Sequence, residues 1–169
     1  MMRNVRKVFV LTLALAVVAP AIASAQKLVI VIRHAERADG GSMSPNPQDD
    51  PPLSAPGQTR ARKLAAMLGE SGIAAIYTTE YIRTKDTAAP LAEKLHLTPV
   101  VVKADATTAM IESIKTTRAS SIVLIVGHSN TIPQIVKAFG GPEVTVPDGD
   151  YDNIFFIVPG TGTMTRIRY

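Results

Sequence analysis

Val29-Ile30-Val31-Ile32 is a run of four β-branched residues that leads directly into Arg33-His34. An apolar run without alternation belongs to a strand covered on both faces, the kind found in parallel sheets flanked by helices. Neither Arg33 nor His34 suits such a core. The economical place for them is just past the strand's carboxyl end, where open α/β sheets hold their ligands. Arg brings a rigid fork of donors matched to phosphate or carboxylate. His brings a base or nucleophile that titrates near neutrality. The pair points to phosphate chemistry.

A second run, Ser121 to Val126, leads into Gly127-His128 in the same way. Between the two runs, strands and helices alternate. Ser54 is placed to cap a helix carrying Ala61, Leu64, Ala65 and Leu68 on one face, with Pro56 in its first turn and Gly69 or Gly72 at its end. Ile73 to Tyr77 reads as a strand, and Thr78 or Thr79 as the cap of a helix over Tyr81 to Leu95. Thr98 to Val102 is a third strand, followed by a modest helix near Thr107 to Thr116. After His128 a helix runs toward Gly140-Gly141-Pro142. Asn153 to Val158 and Thr163 to Ile167 then alternate as two strands around Gly160-Thr161-Gly162. This order predicts a three-layer α/β/α sandwich: a mostly parallel sheet with an antiparallel C-terminal edge hairpin. The phosphate loop G-x-x-x-x-G-K-[ST] and the fingerprint G-x-G-x-x-G are absent, so ATP or NAD is not bound through those devices. Arg37 to Pro52 is polar and rich in Gly, Pro and Asp, and leaves directly from Arg33-His34. A loop of this length reads as a flap over the site.

The first 25 residues have a different pattern. Arg3, Arg6 and Lys7 precede an uncharged apolar stretch from Val8 to Ala19, and Ala23-Ser24-Ala25 has the small-x-small form of a cleavage site. These features predict a signal peptide over 1–25 and a mature domain over 26–169, exported to the periplasm or the medium. The apolar stretch is short for a spanning helix, and Pro20 interrupts its end. Cleavage after Ala25 would leave 144 of the 169 residues, one domain's worth. The formal charge of +4 would fall to +1, because all three basic residues of the leader have no acidic counterpart there. No basic stripe then argues for nucleic acid. The chain has no Cys, which excludes disulfides, thiolate chemistry and a lipid-modified cysteine anchor. No protein partner is evident in the sequence.

Arg33-His34, Arg83 in the first turn of its helix, and His128 all fall at carboxyl ends of strands in one sheet. They are therefore expected to converge on one crevice. Two Arg and two His suit phosphoryl transfer: one imidazole attacks, and the guanidinium groups hold the phosphoryl oxygens and offset their charge. The second imidazole can hold an oxygen of the same group. The cations come from the protein, so no metal or other cofactor is expected, and the partner is a small phosphorylated substrate. The third histidine, His96, sits between Leu95 and Leu97 and no H-E-x-x-H or H-x-H spacing occurs, which argues against zinc. The residues alone leave open which imidazole attacks.

Four segments together resemble the histidine phosphatase superfamily, the phosphoglycerate mutase-like fold. Arg33-His34-Ala35-Glu36 is similar to its Arg-His-Gly/Ala-Glu signature, and Leu53-Ser54-x-x-Gly57-Gln58 to its Leu-Ser-x-x-Gly segment. Tyr77-Thr78-Thr79-x-x-x-Arg83-Thr84-x-x-Thr87-Ala88 resembles its Tyr-Ser-Ser-x-x-x-Arg-x-x-x-Thr-Ala segment, and Gly127-His128-Ser129 its second histidine motif. Order and spacing agree over Lys27 to Tyr169. The resemblance implies that His34 becomes phosphohistidine, that Arg33 and Arg83 bind the phosphoryl group with His128 beside it, and that Glu36 orients the site.

The chain also departs from the family. Many members carry a Leu-x-Glu after the third strand that supplies a general acid; here the segment is Val101-Val102-Lys103-Ala104-Asp105-Ala106, with no such Glu and with Asp105 the candidate to substitute as the acid. Another branch has Asp directly after the second histidine, where this chain has Ser129. With no acid evident, aryl phosphates are expected to react faster than alkyl phosphates, since a better leaving group needs less protonation. Compact members without the acid include phosphohistidine phosphatases. Exported members with Arg-His-Ala-Glu-Arg, as in Arg33 to Arg37, include phosphatases thought to act on lipopolysaccharide sugar phosphate. The expected function is an exported phosphomonoesterase. Its rivals are a phosphomutase and a non-catalytic phospholigand-binding module.

Overall fold

The computed structural model describes residues 28–40 and 50–169. The signal-peptide reading of 1–25 lies outside the described residues, as do positions 41–49 of the loop read as a flap. Ten regular elements follow in order: β1 (Leu28–Arg33), α1 (Ala55–Leu68), β2 (Ile73–Thr79), α2 (Ile82–Leu95), β3 (Val100–Val102), α3 (Thr107–Thr117), β4 (Ile122–Gly127), α4 (Ile132–Ala138), β5 (Asn153–Val158) and β6 (Thr163–Arg168). The sheet order is β3-β2-β4-β1-β5-β6. The β3, β2, β4 and β1 neighbours are parallel; β5 and β6 are antiparallel additions at one edge. This is the expected three-layer sandwich.

Its core follows from the two-residue period of the central strands. Ile30 and Ile32 of β1 and Leu124 and Val126 of β4 face α1 and α2, where Leu64, Leu68, Ala88 and Leu91 cover them. Val29 and Val31, with Val123 and Ile125, face α3 and α4 and meet Met110, Ile114, Ile132 and Ile135. Val29 to Ile32 are each 0% exposed, which is why β1 shows no polar alternation. Among the described residues no helix is long and apolar enough to cross a membrane.

Three local expectations need correction. β2 continues through Thr78 and Thr79, because both pair with β3, opposite Val101 and Val102. Neither threonine therefore caps α2. Its N-cap is Tyr81, and the Ile82 amide donates to Asp50 Oδ2 at 2.7 Å, a carboxylate supplied from outside the helix. β3 is also shorter than Thr98 to Val102, since it pairs only with the last three residues of β2.

Ser54 caps α1 as expected, its Oγ accepting from the Gly57 amide at 3.2 Å. The same end of α1 holds the chain after His34. The Glu36 carbonyl accepts from the Ser54 amide at 2.9 Å and lies so close to Gly57 that a Cβ there would sit 2.3 Å from it. The neighbour is backbone and cannot swing aside. Gly57→Ala is expected to cost about 1–3 kcal/mol through overpacking and to displace the segment after His34. Thermal unfolding checks this against Gln58→Ala on the exposed face; equal melting temperatures would show that the approach is not tight.

Candidate active site

Register alone brings the two histidines together. Arg33 at the end of β1 pairs with Gly127 at the end of β4, and the His34 amide donates to the Gly127 carbonyl at 3.0 Å. His34 and His128 are the next residues on adjacent parallel strands. Their rings lie edge to face, with centroids 5.4 Å apart. Both open onto a cleft of about 540 Å³ that Arg33, Arg37 and Arg83 also line.

The two rings are held differently. His34 Nδ1 lies 2.8 Å from the carbonyl of Ala35. A carbonyl can only accept, so Nδ1 carries the hydrogen and Nε2 of the neutral ring keeps its lone pair. The Ala35 amide donates to Thr87 Oγ1 at 2.9 Å, and that hydroxyl donates to the Arg83 carbonyl at 2.7 Å. The backbone that fixes the His34 ring is thereby tied to the first turns of α2. His128 has its Nε2 3.0 Å from Thr79 Oγ1, so the corresponding nitrogen is engaged.

Burial is the largest influence on both imidazoles. It lowers His34 from 6.5 to about 3, against the opposing hydrogen bond to Ala35 and with help from His128, Arg83 and Arg33. It lowers His128 to about 4, aided by Arg83, Arg33 and Arg37. Both rings are neutral at pH 7. In the unfolded chain they take up protons near 6.5, so between that pH and about 4 the unfolded state binds more protons. The stability these rings contribute is complete above 6.5 and is lost as the pH falls, by roughly 3 kcal/mol per ring at pH 4. Histidine ring NMR over pH 3–8 should show the His34 and His128 rings still neutral at pH 5. A His34 or His128 midpoint near 6.5 would contradict the buried, neutral site.

The arginines divide their donors. Arg33 is buried at the end of β1 and its Nη1 donates to the carbonyls of Pro147 and Asp148 at 3.0 and 2.5 Å, with that of Asp150 at 3.5 Å. Its guanidinium lies on the Tyr151 ring, 4.1 Å from the centroid. Arg83 meets Asp50 Oδ1 at 3.3 Å and lies on the Tyr81 ring at 4.0 Å. Nε of Arg33 and Nε of Arg83 are buried and have no hydrogen-bond partner among the described residues. Buried donors are normally satisfied. Two unfilled ones beside a cleft lined by three guanidinium groups suit an anion rich in acceptor oxygens.

Of the residues singled out in the sequence, Arg33, His34, Arg83 and His128 all line this cleft. Glu36 does not. Its carboxylate takes Arg60 Nε and Nη2 at 2.6–3.0 Å, and Arg60 Nη1 reaches the Tyr169 carbonyl. Burial is the largest single influence and works against that charge, but the Arg60 hydrogen bonds, a backbone hydrogen bond and the charges of Arg60 and Arg33 together outweigh it and hold the carboxyl below the usual carboxylate range. Glu36 thus anchors the segment after His34 to α1. Asp105 is exposed in the 3₁₀ turn Ala104–Ala106 and does not line the cleft, although its neighbour Ala104 does. His96 caps the far end of α2 with φ 54°. The sequence reading missed Thr79, Tyr81, Asp148 and Tyr151. Thr79 was within reach, as the polar end of a strand run; the other three become site residues only through long-range packing.

The model of the histidine phosphatase superfamily (branch 1) matches residues 29–107, which contain Arg33, His34 and Arg83. Solved structures share the fold at low identity. A mycobacterial glucosyl-3-phosphoglycerate phosphatase, solved with VO3, is 15% identical, with a TM-score of 0.62 over 85% of this chain and 98% of its own. The protein histidine phosphatase SixA, solved with tungstate, is 17% identical, with a TM-score of 0.58 over 83% and 94%. An open reading frame product of Mycobacterium tuberculosis is 15% identical, with a TM-score of 0.61 over 83% and 95%. No curated protein sequence matches the chain.

Proposed function

We propose that the chain, whose residues 29–107 match the model of the histidine phosphatase superfamily, belongs to that superfamily and is an exported phosphomonoesterase acting through a phosphohistidine on His34 without a metal ion. The observation that carries this reading is the His34 Nδ1 hydrogen bond to the Ala35 carbonyl, which leaves Nε2 as the unprotonated nitrogen. A neutral imidazole attacks phosphorus with that lone pair. The P–O bond to the leaving group breaks, and the leaving oxygen takes a proton. Water then attacks the phosphohistidine, releasing phosphate and restoring neutral His34. Lowering of His34 to about 3 keeps the nucleophile unprotonated across the neutral range.

Arg33 and Arg83 supply the positive charge for the phosphoryl oxygens, and His128 stands beside them, its Nε2 engaged by Thr79. That engagement supports His34 over His128 as the nucleophile. The oxyanions in two structural neighbours, VO3 and tungstate, support a phosphoryl-sized ligand in this cleft. Those neighbours act on a glucosyl-3-phosphoglycerate and on protein phosphohistidine. The leader pattern of 1–25 supports export, with the mature chain beginning at Gln26.

The test is a panel of phosphomonoesters with protein stripped of metal by chelation. Turnover of p-nitrophenyl phosphate that survives chelation is expected. Tight phosphate binding without turnover would favour the phospholigand-binding module, and phosphate transfer between positions of one substrate without hydrolysis would favour a mutase.

A further inference from the structure

Neither family position for a proton donor is filled: Asp105 does not line the cleft, and Ser129 follows His128. A different carboxylate reaches the same cleft. Asp148, on the segment between α4 and β5, lines it, and Asp148 Oδ1 accepts from Ser129 Oγ at 3.1 Å. A carboxylate from a distant segment thus meets the hydroxyl directly after the second histidine. The other anchor is Arg33, whose Nη1 holds the Pro147 and Asp148 carbonyls while Nη2 lies 3.7 Å from Asp148 Oδ1. The arginine that would clamp the phosphoryl group also fixes the backbone that carries the acid.

We propose that Asp148 is the general acid and base of the reaction; this rests on the phosphatase function proposed above. Its side chain is 94% exposed, so no packing role accounts for its position. A bound phosphoryl dianion takes up the Arg33 charge and places negative charge near the carboxylate. The reaction starts from this complex with the Asp148 carboxyl protonated, the proton coming from solvent. As the His34 Nε2–P bond forms and the P–O bond breaks, the leaving oxygen takes the Asp148 proton. Asp148, again ionised, then accepts a proton from the water that attacks phosphohistidine. Phosphate departs, His34 is neutral and Asp148 is protonated, as at the start of the cycle.

The experiment compares kcat/KM for p-nitrophenyl phosphate and glycerol 2-phosphate in the wild type, Asp148→Asn and Asp148→Glu. p-Nitrophenolate leaves with little protonation, whereas an alkoxide cannot. Asp148→Asn is expected to lower the aryl value by up to about tenfold and the alkyl value by on the order of 10²–10³-fold. Asp148→Glu, which keeps a carboxyl, is expected to recover much of the alkyl loss. Equal losses on both substrates, no loss on either, or a selective alkyl loss in Tyr151→Phe with Asp148→Asn unaffected would each overturn the assignment. A wild type that turns over neither substrate defeats the phosphatase reading itself and Asp148 with it. Turnover that depends on His34 but ignores Asp148 defeats Asp148 alone.

Discussion

His34→Ala is expected to abolish the covalent intermediate and lower turnover by on the order of 10⁴-fold or more, as loss of a nucleophile does elsewhere. His128→Ala is expected to cost about 10²–10³-fold, the loss of one preorganised donor, and still to form phosphoenzyme. The asymmetry comes from how each ring is held. His34 gives its Nδ1 hydrogen to the Ala35 carbonyl, 2.8 Å away, while His128 Nε2 is committed to the Thr79 hydroxyl. Thr79 is itself held, its Oγ1 lying 2.9 Å from Thr84 Oγ1. His34 also sits on the stiffer support, since the Ala35 amide, Thr87 and the Arg83 carbonyl form one chain of hydrogen bonds into α2. Rapid quench without acid, using labelled substrate, followed by peptide mapping of the acid-labile phosphate, checks the assignment. Label on the peptide containing His128, or phosphoenzyme in His34→Ala, would reverse the two roles.

How much of this was legible beforehand depended on whether a residue's role lies along its own strand. The double burial of Val29 to Ile32 and of Val123 to Val126 is written in their composition, and it carries the parallel sheet and the strand ends with it. Arg33, His34 and His128 could be found for that reason. The register could not: that Arg33 faces Gly127, so that the two histidines are neighbours, is decided by pairing across 94 residues. Thr78 and Thr79 misled because Thr serves equally as a helix cap and as a strand residue. Pairing with β3 decided the matter. Asp50 was hidden because it caps a helix from 32 residues away. Asp148 and Tyr151 lie in a segment without periodicity, rich in Pro, Gly and Asp, that reads as turns. What brings that segment to the site is a guanidinium 114 residues earlier, and no local pattern records it.

That guanidinium leads to the second large effect, expected for Arg33→Lys. The Arg33 side chain is 7% exposed. A guanidinium carries five donors in one plane. Nη1 is spent on the Pro147 and Asp148 carbonyls, while buried Nε has no acceptor and Nη2 lies near Asp148 Oδ1. One edge of the group holds protein, and the edge through Nε is the one proposed to meet phosphoryl oxygens. A lysine ammonium keeps the charge but gathers its donors at one point, so it cannot serve the loop and the substrate together. It also loses the stacking that places the guanidinium 4.1 Å from the centre of Tyr151. Arg33→Lys is therefore expected to lower kcat/KM by on the order of 10²–10³-fold and the stability by about 2–3 kcal/mol, through loss of the charge-assisted hydrogen bonds to the Pro147 and Asp148 carbonyls. Arg83→Lys is the informative partner, since Arg83 meets Asp50 at 3.3 Å and Tyr81 but holds no carbonyl among the described residues. It should lose activity with a smaller loss of stability. The loop adds a signature of its own: with Arg33 shortened, Asp148 loses its anchor, and alkyl phosphates should suffer more than aryl phosphates. Matching melting temperatures for the two lysine variants, with an unchanged preference between aryl and alkyl substrates, would show that Arg33 binds phosphate without holding the loop.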